Sequence, residues 1–155
     1  MQRYHLAQVN IAKGLGALND PIMKDFIDNV AQINTIADTS DGFIWRLKDE
    51  DKDEALQIFK DDLLIINMSV WSDVESLFKY VYKSGHIEVL KRKKEWFKKN
   101  IANHMAFWYI PKGNIPTFND AKIRLDYLNL HGETPYAFTF KSKFSVTESL
   151  NYKVL

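Results

Sequence analysis

The chain contains no cysteine and four histidines, His5, His86, His104 and His131, so thiolate chemistry is absent and acid-base work near neutral pH falls to imidazole. His86 has the most suggestive neighbours. On a helix running from residue 86 to 99, Leu90, Lys93 and Phe97 lie within about 40° of it, with Val89 and Trp96 just beyond. An imidazole on such an apolar arc is one of two things. It is a core histidine satisfied by a main-chain carbonyl or a tyrosine hydroxyl, or it faces a cavity as proton donor, acceptor or ligand. Arg92 sits at the edge of the same arc, where it could hold an anionic or carbonyl oxygen, while Glu88, Lys91, Glu95 and Lys98 point away.

A second group of candidates consists of polar residues set into apolar strands: Gln8 and Asn10 in one, Asn67 and Ser69 in another. A buried amide without partners costs about 1–3 kcal/mol, so each joins a hydrogen-bond network or meets a ligand. Trp45, Trp71 and Trp96, with Tyr82, supply flat surfaces that could wall in a hydrophobic, aromatic or polycyclic molecule, although tryptophans at such spacing serve equally as core. The four histidines show no metal-ligand spacing, and there is no Gly-rich phosphate loop, Gly-x-Ser-x-Gly elbow or His-Glu-x-x-His. No metal site is expected. The basic run Lys91-Arg92-Lys93-Lys94 with Lys98 and Lys99 spreads around a helix and is broken by glutamate, so it reads as a solvated face rather than a nucleic-acid surface.

These residues need elements to hold them. Residues 4–12 alternate as a strand, with His5, Ala7, Val9 and Ile11 on one face and Tyr4, Leu6, Gln8 and Asn10 on the other. Asp20-Pro21 opens an amphipathic helix over 21–38. Residues 42–48 form a second strand, the acidic stretch 49–54 a loop, and the apolar run 63–71 a central strand buried on both faces. Ser72 or Asp73 caps a helix that Ser84-Gly85 interrupts before the run carrying His86, giving one bent helix or two. Residues 103–110 make a fourth strand, 117–130 a short helix, and 135–140 a fifth strand or an ordered extension. The last fifteen residues carry few signals.

The order β-α-β-β-α-β with a C-terminal helix is the split βαβ pattern of α+β ferredoxin-like folds. At 155 residues, 46% hydrophobic, the chain fits a single domain spanning 1–155 with its own core. If the helices cover one sheet face, the other needs a partner, so a homodimer is expected. A formal charge of +1 provides no general attraction for nucleic acid or anionic membrane. With no signal-like N-terminus and no apolar run of roughly 18 residues, a cytoplasmic location is expected.

The segments LAQVNIA (6–12), GFIWRL (42–47), NMSVW (67–71), VYKSGHIEVLKRKKEWF (81–97) and HGETPYAFTF (131–140) together resemble a bacterial group, domain-of-unknown-function family 3291. That group is similar in fold to the dimeric α/β barrel superfamily, which includes antibiotic biosynthesis monooxygenases and small haem-degrading monooxygenases. The resemblance implies a homodimer with a pocket between sheet and helices. In the haem-degrading relatives a helix histidine holds the iron, with His86, Asn10 and a tryptophan as rough counterparts here, although the Trp71-to-His86 spacing differs. The cofactor-free relatives use Asn, Trp and Tyr side chains on aromatic polyketides. The implied function is oxidation, or acid-base cyclisation or isomerisation, without a cofactor, the alternative being a dimer that binds a hydrophobic ligand or haem without turnover.

Overall fold

The computed structural model describes residues 3–48, 52–99 and 103–155. Four strands, β1 (Tyr4–Lys13), β2 (Phe43–Arg46), β3 (Leu64–Trp71) and β4 (Met105–Pro111), form one sheet in the order β2-β3-β1-β4 with every neighbouring pair antiparallel. Among the described residues, six α-helices accompany them: α1 (Lys24–Asp38), α2 (Lys52–Phe59), α3 (Val74–Lys83), α4 (His86–Lys91), α5 (Phe118–His131) and α6 (Val146–Asn151). Strand order and connections make this a ferredoxin-like α+β fold.

Register defines two unlike faces, because directly opposed residues project to the same side. On one, Trp45, Val70, Ala7 and Trp108 form a row across all four strands, flanked by Met68, Val9 and Ala106. Phe118, Ala121, Leu125 and Leu128 of α5 seal this face, with Ala55, Ile58 and Phe59 of α2 packed alongside. On the other, the rows are Phe43-Trp71-Leu6-Tyr109, then Arg46-Ser69-Gln8-Phe107, then Asn67-Asn10-Met105. Helices α1 and α3 cover this face through Ala37, Leu77, Tyr80 and Val81, helped by Phe138 and Phe140 from the C-terminal extension.

Most expected elements are present, with four differences. The helix expected over 21–38 begins as a 3-10 turn, Pro21–Met23, under an Asp20 cap. Asp49–Asp51 lie outside the described residues, but the segment after them, expected to begin as loop, is helix α2. The run from His86 is not a helix to residue 99: α4 ends at Lys91 and a 3-10 turn, Lys93–Glu95, follows, so Lys93 and Phe97 do not continue the His86 arc. Residues 135–140 form no strand. Their main chain pairs with β4 at a single bridge, Phe107 to Phe138.

The coverage of both faces bears on assembly. A second copy was expected because one sheet face would lie open, but α2 and α5 occupy that face within the same chain. The physical argument for a barrel-type homodimer therefore does not apply here.

Candidate functional site

On the face beneath α1 and α3, packing changes from dry to wet along the strands. Leu6 and Trp71 are fully buried. Two residues further, Gln8 and Ser69 are buried polar groups, and beyond them Asn10 is half-buried and Asn67 exposed in the middle of a central strand. The inward stripe of α1 above this region, Phe26, Val30 and Ile33, is only half-buried, as are Ile87 and Leu90 of α4. The half-buried apolar side chains of α1 and α4 thus lie over the polar end of β1 and β3.

A hydrogen-bond chain runs along that polar end. The Trp71 indole Nε1–H donates to Ser69 Oγ at 2.8 Å, Gln8 Nε2 donates to the same oxygen at 2.8 Å, and Gln8 Nε2 also donates to Asn67 Oδ1 at 2.8 Å. An indole can only donate, so Ser69 must accept from it, which fixes that end of the chain. Gln8 Oε1, the Asn10 amide and Asn67 Nδ2 have no protein partner among the described residues, yet no buried side-chain polar atom there is left unsatisfied. These groups therefore face water or a ligand.

The aromatic end is built on Trp71. Tyr80 of α3 stacks on it, centroids 5.0 Å apart and planes 27° from parallel, and the His86 ring lies 4.9 Å from Tyr80. Val81 O is 3.1 Å from His86 Nδ1. Since a carbonyl only accepts, Nδ1 carries the proton and Nε2 keeps its lone pair. Burial pushes the His86 pKa down, partly offset by the Val81 bond, so the ring is neutral at neutral pH. Burial also raises the Tyr80 pKa, which keeps its hydroxyl protonated. Beside Ser69, on the same row, Arg46 makes a two-point ion pair with Asp38 at the end of α1, 2.7 Å from Nε and 3.3 Å from Nη2.

The structure brings Gln8, Asn10, Asn67 and Trp71 together, and connects His86 to them through Tyr80. It does not bring in the other expected residues. Trp45 is on the opposite face, paired with Val70 and packed in the α5 core, because the register shifts between Phe43 and Trp45. Tyr82 is exposed and packs against Phe78 and Phe140. Trp96 is buried against Phe26 and Phe97 at the far end of α1. Arg92 lies over the Trp96 ring at 4.8 Å and is ion-paired to Asp25 and Glu95, so its charge is already committed. Tyr80 and Arg46 take the places expected of Tyr82 and Arg92. The signal for Tyr80 was its helical spacing from Leu77 and Val81 toward the sheet; for Arg46 it was its strand position opposite Ser69.

Two surface grooves, of about 580 and 330 Å³, lie elsewhere, the first lined by Arg3, Tyr4, Ser72, Asp73, Tyr109, Val146 and Leu150, the second by residues of 18–28. None of the expected site residues lines either. Among the described residues no group of His, Asp or Glu could hold a metal ion, and no helix is long and apolar enough to cross a membrane.

The family described as "Domain of unknown function (DUF3291)" matches residues 5–153. No curated protein matches the chain. Among solved structures, SnoaB, a cofactor-independent oxygenase from Streptomyces nogalater, is 15% identical over 73% of this chain and 95% of its own, with a TM-score of 0.44. NE2512, a protein of unknown function from Nitrosomonas europaea, is 8% identical over 76% of this chain and 97% of its own, with a TM-score of 0.47.

Proposed function

Because the chain belongs to the DUF3291 family, whose description assigns no activity, we propose a function from the open polar end of β1 and β3, read as a ligand cleft beneath α1 and α4: a small-molecule enzyme acting on a planar, hydrophobic, aromatic or polycyclic substrate. The observation that carries this reading is the chain from buried Trp71 through Ser69 and Gln8 to exposed Asn67. It fixes an amide at the mouth of an otherwise apolar cleft, the arrangement by which a site orients a ring through one polar edge.

In this reading Asn67 and Asn10 bind a carbonyl or hydroxyl of the substrate. His86 Nε2, unprotonated and without a protein partner, accepts a proton from an acidic C–H, and the Tyr80 hydroxyl and Asn67 amide stabilise the resulting enolate. With dioxygen as co-substrate, the carbanion is the reductant: a ring CH2 becomes C=O, one oxygen atom enters the product and the other leaves as water. Without dioxygen, returning the proton at another carbon gives isomerisation, and addition of the carbanion to a carbonyl carbon of the same substrate, with the proton delivered to the alkoxide oxygen that forms, gives cyclisation.

Haem has no part in this reading. The His86 tautomer would suit a metal, but the ring packs against Tyr80, itself stacked on Trp71, and the reading needs no cofactor. Binding without turnover is the second reading, favoured by the position of His86 behind Tyr80 rather than on the floor itself.

The test is oxygen uptake and ligand binding with a hydroxylated polycyclic ketone. Turnover by the untreated protein, reduced at least about tenfold by Asn67→Ala, is expected. Tight binding without turnover would select the carrier reading, and failure to bind any planar ring compound would end both.

A further inference from the structure

The polar groups without a protein partner at this end of the sheet are all uncharged: Gln8 Oε1, the Asn10 amide and Asn67 Nδ2, with the Tyr80 hydroxyl and His86 Nε2 behind them. Arg92, over Trp96 and outside this group, is paired with Asp25 and Glu95, and Arg46 is paired with Asp38. Arg46 is the more telling, because it stands in the same cross-strand row as Ser69 and Gln8. An unpaired guanidinium there would make the floor a carboxylate site.

Asp38 is the residue that prevents this. It is the last residue of α1, where a negative charge opposes the helix dipole, so helix stability does not account for it. Its side chain is 44% exposed and that of Arg46 23%, and ion pairs this open contribute little to folding. What the pair does do is remove a net charge from the Trp71 end of the cleft. Lys48, also near Asp38, is exposed and screened by water.

We propose that Asp38 is a specificity residue: by holding Arg46 in a two-point ion pair beside the Ser69-Gln8 floor, it makes the cleft accept an uncharged planar ligand and reject the carboxylate analogue of the same ring. This rests on the reading of the cleft as a ligand site. It also assigns the site a substrate presenting carbonyl or hydroxyl groups rather than a carboxylate or phosphate.

The experiment uses isothermal titration of the full chain with naphthol and naphthoate at neutral pH, where the first is neutral and the second anionic. The wild type should bind naphthol at least about tenfold more tightly, and Asp38→Asn, which frees Arg46, should close that gap by about tenfold or more. Arg46→Gln should keep the preference for naphthol, since the Asp38 carboxylate alone repels an anion. Equal binding of both probes by the wild type, or an unchanged ratio in a folded Asp38→Asn, overturns the proposal while leaving the cleft intact as a site. If neither probe binds the wild type, the cleft reading fails, and this proposal with it. Matching melting curves for Asp38→Asn and wild type establish that the variant is folded.

Discussion

Ser69 bears more of the site than its size suggests, because its one oxygen accepts from both the Trp71 indole and the Gln8 amide. Ser69→Ala should cost about 1–3 kcal/mol in urea unfolding, since it strands the indole N–H of a fully buried tryptophan. Asn67→Ala, at an exposed position, should change stability by no more than about 0.5 kcal/mol while abolishing ligand binding. The histidines set a pH dependence. His86 and His104 both have folded-state pKa values below the ordinary 6.5, by burial first and for His104 also by Lys93 and Lys141. The unfolded chain therefore takes up protons first, so stability is full above about pH 7 and falls as the pH drops through 6.5 toward the folded values. Urea midpoints that rise on acidification would contradict this. At this scale the sequence was partly legible: alternation in β1 put Gln8 and Asn10 on one face, and burial cost marked them as networked or ligand-facing. It could not show that Arg92 would be consumed by two carboxylates, because Asp25 lies 67 residues away, nor that a register shift would turn Trp45 to the other face.

Among the elements, the loop before β2 is the most tightly specified. Gly42 has φ of 81°, and a Cβ there would run into Ser76 Oγ and lie 2.6 Å from Ser72 Oγ. Gly42→Ala should destabilise the protein by about 1–3 kcal/mol, read as a lower melting temperature. The Ser84-Gly85 break mattered for function in a way its composition did not reveal. By ending α3 there it lets the His86 ring return to Tyr80 and the Val81 carbonyl. Periodicity carried on past Arg92 on paper because Lys93 and Phe97 fit a continuing helix. In the fold, main-chain pairing of Leu15 with Trp96 and of Lys98 with Lys13 draws that segment onto the end of β1 instead, and tertiary pairing overrides local propensity. Helix α2 was hidden for the opposite reason. Its acidic first turn favours a helix start but reads as solvated loop in the sequence, and what buries the helix is the packing of Ala55, Ile58 and Phe59 on the α5 core.

For the whole molecule, the dry face and the wet face of one sheet have separate duties. Leu125→Ala on the dry side should cost about 2–5 kcal/mol, since Leu125 is 3% exposed in the α5 core. With that face filled from within the chain, sedimentation should return the single-chain mass of 18.1 kDa, and a doubled mass would mean that a surface other than the sheet joins two copies. The order of elements along the chain was readable from the sequence, because alternation and helix signals are local. The covering of the second face was not, since nothing in α5 alone says which side of the sheet it will reach. That arrangement has a consequence for how the protein could be altered. Both faces carry a buried core, but Asn10 and Asn67 lie at its open edge, half-buried and exposed, so these two can be randomised together with little loss of folded protein while Tyr80, stacked on Trp71, is kept. The scaffold is, in effect, a tolerant starting point for directed evolution toward new ring systems.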